Sequence, residues 1–295
     1  MEANRAKWPR WQLLLVFALA MAVRLVAIKL MPLDPKHDPD GYLYIGKTLY
    51  ERGCYSGMRI LNLGVWGDVP TAYRPPLYPL LVAGCEIAGR EAMSLLATAH
   101  VLLGAATTAL VLPLARRWNA SRRAALIAAG LVAIDPILVH QASQAMTETL
   151  ATFLAALGLL VLTIAGERQS VRWALTAGAV LSLAELLRPA FLVWLVLAGF
   201  ALVWVMPGWR QRWLVGGGFA IAAAAVISPW AVRNFREFDQ PIITTTHGGY
   251  TLMLANNPEF YQWLRHGRWG SASVNPRALD AAKIRKLLLR MHPPV

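Results

Sequence analysis

The residues best suited to chemistry lie in one polar stretch, LDPKHDPDGYLYIGKTLYERGC, where His37, Asp38 and Asp40 crowd together just ahead of Tyr42. A carboxylate held in place can take the proton of an attacking hydroxyl, which is a poor nucleophile at neutral pH until that proton leaves. Alternatively, His37, Asp38 and Asp40 share a divalent cation, although three candidate ligands in a loop are a weak metal signature. A plainer reading stands beside both. Tyr42, Ile45 and Leu49 recur at helical spacing and Gly53 follows as a stop, which predicts a short amphipathic helix on a membrane surface. One aspartate is then its N-cap, Asp40 being better placed than Asp38.

Other candidates are spread along the chain. In YRPPLYP, Arg74 precedes two prolines that stiffen the backbone and deny it a helix start. A guanidinium held this way suits two-point contact with a phosphate, or else it snorkels to lipid headgroups. HQASQAMTETL gathers His140, Gln141, Gln144 and Glu148 around the start of an apolar run. An ionisable group entering a membrane segment is expensive, so Glu148 is a functional candidate, with an interhelical hydrogen bond as the bland alternative. Arg188 stands in LRPAFLVW with Glu185 nearly a turn earlier as a candidate partner, and SPWAVRNF carries Arg233 and Asn234.

A membrane must position these groups. Of 295 residues, 57% are hydrophobic and 15% are charged, whereas soluble domains carry roughly a quarter charged residues. The net charge of +13 sits largely in short loops between apolar runs, where it acts as a topology signal, so no nucleic-acid partner is expected. The predicted fold is an all-α polytopic bundle of about seven spans. The first is Trp11–Met31, retained because no small-residue cleavage site follows it; Arg24 faces the bundle and Lys29 snorkels. The others are Ala92–Leu114, Ala124–Val139, Thr147–Ala165, Ala174–Leu187, Ala190–Met206 and Leu214–Val232.

The segments ARRWNASRR, GERQSVRW and PGWRQRW fall on one side and are basic, which makes that side, and the N-terminus with Arg5, Lys7 and Arg10, cytoplasmic. The loop 32–91 and the segment 233–295 then lie outside, the former as the catalytic loop of a membrane module 1–232. Leu279, Ala282, Ile284, Leu287 and Leu288 among basic residues read as a further amphipathic surface helix. A Cys54–Cys85 disulfide is left open, since sequence does not give their separation.

Taken in order, D-P-D-G-Y, Y-R-P-P-L-Y-P, M-T-E-T-L, L-R-P, P-W-A-V-R-N-F and G-G-Y-T-L-M-L-A-N-N-P resemble the dolichyl-phosphate-mannose protein mannosyltransferase-like group of the GT-C membrane glycosyltransferases, with the bacterial aminoarabinose transferases of lipid A nearest. The likeness covers roughly Trp11 to Pro258 and lies in the order of the motifs. It implies an inner-membrane enzyme that moves one sugar, with inversion, from a polyprenyl-phosphate donor to a lipid, glycan or protein acceptor on the outer face. It further implies Asp38, then Asp40, at the catalytic centre, Arg74 on the lipid phosphate, Glu148 at the family's acidic position and Arg188 and Arg233 at recurring basic ones. Tyr42, His140 and Asn234 join them as expected substrate contacts. Members of the group usually run on through more spans, so the chain reads as a fragment of a longer frame rather than a natural short form. A flippase for lipid-linked sugars would share the spans but should show an internal repeat, which is not seen. A scaffold would need no acid in the first loop.

Overall fold

A computed structural model of the chain describes residues 9–57 and 69–248, together with residues 256, 261 and 265. The chain divides into two compact units, Met1–Met58 with Asp68–Thr245, and Arg59–Gly67 with Thr246–Val295. The second lies almost wholly outside the described residues, as does the surface helix expected around Leu279–Leu288. The first is a helical bundle, with no strand among the described residues beyond a single bridge between Ser56 and Pro70.

Its elements are α1 (Arg10–Leu30), α2 (Tyr42–Arg52), α3 (Leu77–Glu86), α4 (Ala92–Arg117), α5 (Arg122–Ile134), α6 (Pro136–Gln141), α7 (Glu148–Arg168), α8 (Val171–Glu185), α9 (Phe191–Val205) and α10 (Trp209–Phe238). Four of the expected spans are helices long and apolar enough to cross a membrane: α1, α4 with the turn before it, α7 and α10. The remaining three are shorter. Ala124–Val139 breaks where Asp135 caps α6 by accepting from the amides of Ile137 and Leu138, with Pro136 in the first turn. That leaves α5 with 13 residues, while α8 and α9 have 15 each. The helix α10 runs unbroken past Val232, with Pro229 inside it.

Apolar side chains cannot drive helices together when lipid is equally apolar, so close backbone approach has to do so. The chain supplies small residues where helices meet. On α8, Ala174, Ala177, Gly178 and Ala184 are buried, and α8 packs against α7, α9 and α10. On the lipid side α9 exposes Trp194, Phe200 and Trp204. Outside the long helices, α2 folds as its spacing predicts. It lies between Gly41 and Gly53, both in the left-handed region at φ 75° and 64°, and buries Tyr42 and Ile45 against α3 and its neighbours. No disulfide joins Cys54 and Cys85.

The α8–α10 contact yields a direct test. A Cβ on Gly178 would stand 2.3 Å from the carbonyl oxygen of Phe219, and a backbone atom cannot swing aside as a side chain can. Gly178→Ala should therefore cost about 1–3 kcal/mol. A lower thermal midpoint of the detergent-solubilised protein is expected, and an unchanged one would mean that the two helices do not meet there.

Candidate active site

The entry to α2 sets the first acid. Backbone N–H groups at a helix start need acceptors, and Asp38 supplies one from outside the helix: its Oδ2 accepts from Tyr44 N at 2.9 Å. This reverses the expected capping role. Asp38, not Asp40, satisfies the helix, because Gly41 in its left-handed conformation folds the preceding residues back over the first turn. The other oxygen of Asp38, Oδ1, is buried and has no hydrogen-bond partner among the described residues.

Asp40 turns the opposite way, to Arg74. Arg74 Nη2 lies 2.5 Å from Asp40 Oδ1, and Arg74 Nε donates to the Asp40 carbonyl at 3.0 Å. The guanidinium also covers the rings of Tyr73 and Tyr42, at 4.9 and 5.3 Å from their centroids. Pro75 and Pro76 hold the backbone here, and the Tyr55 hydroxyl sits 3.0 Å from the carbonyl oxygens of both Arg74 and Pro75. With its side chain only 13% exposed, Arg74 is largely committed to Asp40.

A second ion pair stands nearby. Glu148 is the first residue of α7, and its Oε1 lies 3.0 Å from Arg188 Nη1 in the turn after α8. The partnership expected from spacing, Glu185 with Arg188, does not form, because α8 ends at Glu185 and the chain leaves helical geometry before Arg188. Glu185 is instead 1% exposed, with neither carboxyl oxygen hydrogen-bonded among the described residues.

Tyr42 lies between the pairs. It is buried, its hydroxyl bonds the Thr147 side chain, and it feels the fields of Arg74, Asp40 and Arg188. Burial pushes its phenol above the ordinary value, the guanidinium of Arg74 opposing in part, so the hydroxyl stays protonated. Its ring meets Tyr78 edge to face at 5.2 Å. Asp38, Glu148 and Tyr42 all lie within electrostatic reach of the Tyr78 hydroxyl, which ties Asp38 to the same neighbourhood.

Two members of this cluster escaped the sequence reading. Tyr78 and His100 are fully buried, with 3.0 Å between the Tyr78 hydroxyl and His100 Nε2. His100 Nδ1 is 3.2 Å from the carbonyl oxygen of Ala142. A carbonyl can only accept, so Nδ1 carries the proton and Nε2 accepts from the tyrosine. The available signals were an ionisable residue inside an apolar run and the second tyrosine of YRPPLYP; the partners of each are remote in sequence.

The remaining candidates divide. Arg188 has a side chain 45% exposed and retains donors for a ligand. Arg233 does not: Nη1 donates to Thr71 O at 2.8 Å and to Asn234 Oδ1 at 2.9 Å, Nη2 donates to Tyr55 O at 3.1 Å, and the rings of Tyr55, Trp230 and Phe238 surround it. Buried Asn234 in turn donates to Ile242 O at 3.0 Å. These two residues pin the end of α10 to the polar loop. His140 is exposed on α6. Among the described residues no three His, Cys, Asp or Glu side chains gather where a metal could be held; Asp38 and Asp40 face different partners and His37 is exposed.

The family model described as dolichyl-phosphate-mannose-protein mannosyltransferase matches residues 70–236. No curated protein and no solved structure matches the chain.

The setting of Arg233 predicts a structural role. An ammonium cannot reproduce the guanidinium's planar fork, so Arg233→Lys should leave carbonyls without donors and cost about 1–3 kcal/mol. The thermal midpoint reports this loss, and an unshifted midpoint would show that the bridges contribute nothing.

Proposed function

The chain belongs to the dolichyl-phosphate-mannose-protein mannosyltransferase family, and from that premise we propose that this membrane glycosyltransferase moves a single sugar from a polyprenyl-phosphate donor, with inversion, to a hydroxyl of a lipid, glycan or protein acceptor. The observation that carries this reading is the divided carboxylate of Asp38. One oxygen is fixed by Tyr44 N while the other is buried and unpartnered. A base needs this combination, a set orientation and a lone pair with nothing on it.

In the proposed step the acceptor oxygen attacks the anomeric carbon from the face opposite the lipid phosphate. The carbon–oxygen bond to the phosphate breaks as the new one forms. The acceptor's proton passes to Asp38 Oδ1, and the electron pair leaves with the polyprenyl phosphate. Negative charge grows on that phosphate, and a guanidinium with donors to spare stabilises it. Arg188 is the principal cation in this reading because its donors are accessible to a ligand, its pairing with Glu148 giving way in part to the phosphate, which displaces water as it binds. Arg74 is the second, and also holds Asp40 and Tyr42 in place. Basic residues in the loops ARRWNASRR, GERQSVRW and PGWRQRW support an inner-membrane, multi-pass placement with the N-terminus cytoplasmic and Asp38 on the outer side.

Asp38→Asn tests the base. Asparagine keeps an oxygen to accept from Tyr44 N but takes up no proton, so release of polyprenyl phosphate from labelled donor should fall about 10²- to 10⁴-fold while donor binding persists. Undiminished release would remove Asp38 from the chemistry. The cations are tested separately: Arg188→Ala should weaken binding of polyprenyl phosphate by about tenfold or more, consistent with loss of a charged hydrogen bond. Arg74→Ala should weaken it less and lower the thermal midpoint, since Asp40 then loses its partner. The reverse order would make Arg74 the main phosphate contact.

A further inference from the structure

On the bundle side of Glu148 a narrow cleft runs between α1, α4, α6 and α7, with Arg24, Gly104, Gln141, Glu148, Thr149 and Thr152 in its walls. Three of those side chains carry a buried polar atom with no hydrogen-bond partner among the described residues: Arg24 Nε, Gln141 Oε1 and Thr149 Oγ1. Arg24 is 1% exposed and Thr149 6%, so bulk water does not serve them. Arg24 is nevertheless firmly seated. Its Nη1 lies 3.2 Å from Ala20 O and 3.4 Å from Ala133 O, and a Cβ at Gly104 would stand 2.2 Å from Nε. The missing side chain at Gly104 is what admits the guanidinium. A buried polar atom left unpaired is costly, and gathering three in one cleft leaves that cost to be offset by a ligand.

The unmet bonding describes the ligand. Arg24 Nε can only donate, Gln141 Oε1 can only accept, and the Thr149 hydroxyl does either. Each charged wall residue already has an opposite charge near it, Asp135 within electrostatic reach of Arg24 and Arg188 paired with Glu148. An anion or a metal cation would therefore gain little. A neutral group that donates and accepts at once satisfies all three atoms, and the cleft as a whole has room for about one group the size of a water or a hydroxyl.

We propose that this cleft is a hydroxyl-binding subsite that selects among neutral sugars by receiving one hydroxyl of the sugar between Arg24, Gln141 and Thr149. The inference rests on the sugar-transfer reading above. It adds to it the residues that decide which ring is held beside Glu148.

The test measures binding without turnover. The full chain in lipid nanodiscs is titrated with methyl α-mannopyranoside and its monodeoxy derivatives, followed by saturation-transfer NMR. For the wild type, one derivative should bind about tenfold more weakly than the parent while the others match it. Thr149→Val should weaken the parent by a similar factor and lose that discrimination. Its ligand-free thermal midpoint should hold or rise, because a buried unsatisfied hydroxyl is gone. Gly104→Ala, which pushes on Arg24, should also abolish discrimination.

The subsite is overturned if the wild type fails to bind the parent or treats all derivatives alike. It is equally overturned if Thr149→Val discriminates as the wild type does, or if its midpoint falls with affinities unchanged, the mark of a structural water only. Asp38→Asn should keep the wild-type binding pattern, so failure of the proposed base and failure of this subsite give different results.

Discussion

Pairing of guanidinium with carboxylate around one buried phenol is the constraint on which the polar end of the bundle depends. A charge withdrawn from water beside an apolar core is costly unless an opposite charge stands against it. Here each pair joins segments far apart in sequence, Asp40 with Arg74 and Glu148 with Arg188, and Tyr42 feels both. The amphipathic helix, the proline-stiffened segment, the start of α7 and the turn after α8 are thereby fixed relative to one another. The same arrangement leaves Asp38 outside either pair. Its second oxygen remains a hydrogen-bond acceptor without a partner among the described residues.

Around this centre the arginines divide their work by burial. Arg188 meets solvent, Arg74 is sunk against tyrosine rings, and Arg233 spends its donors on carbonyl oxygens and a side-chain amide. The hydroxyl of Tyr55 meets the backbone of Arg74, while the Tyr55 carbonyl receives Arg233. A single residue thus relays the position of the end of α10 to the proline-stiffened segment that carries Arg74. Prolines at 75 and 76 contribute by having no N–H to satisfy, which frees nearby carbonyls to accept from side chains.

Much of the fold was legible because membrane spans announce themselves by length and apolar content. The helices α1, α4, α7 and α10 stand where the runs of hydrophobic residues placed them, and α2 follows from the recurrence of Tyr42, Ile45 and Leu49 with Gly53 behind it. The failures share one cause, reliance on local spacing. Capping rules put Asp40 ahead of Asp38, but the left-handed turn at Gly41 redirected both. Helical spacing offered Glu185 to Arg188, but the helix stopped first, and the partner came from 40 residues away. His100 finds its carbonyl 42 residues off, a pairing that no local pattern encodes.

The short helices matter to the surrounding lipid as well as to the protein. At about 1.5 Å per residue, α9 covers little more than 20 Å, whereas the hydrocarbon layer is about 30 Å thick. Its exposed face is wholly apolar in the middle and closes on Trp204, with Trp209 and Trp213 following on α10. Tryptophan settles at the headgroup level, so lipid along this flank must compress to meet it. A thinned annulus of this kind brings the headgroup plane inward along α9, and makes the depth at which lipid headgroups stand a property shared between the protein and the membrane around it.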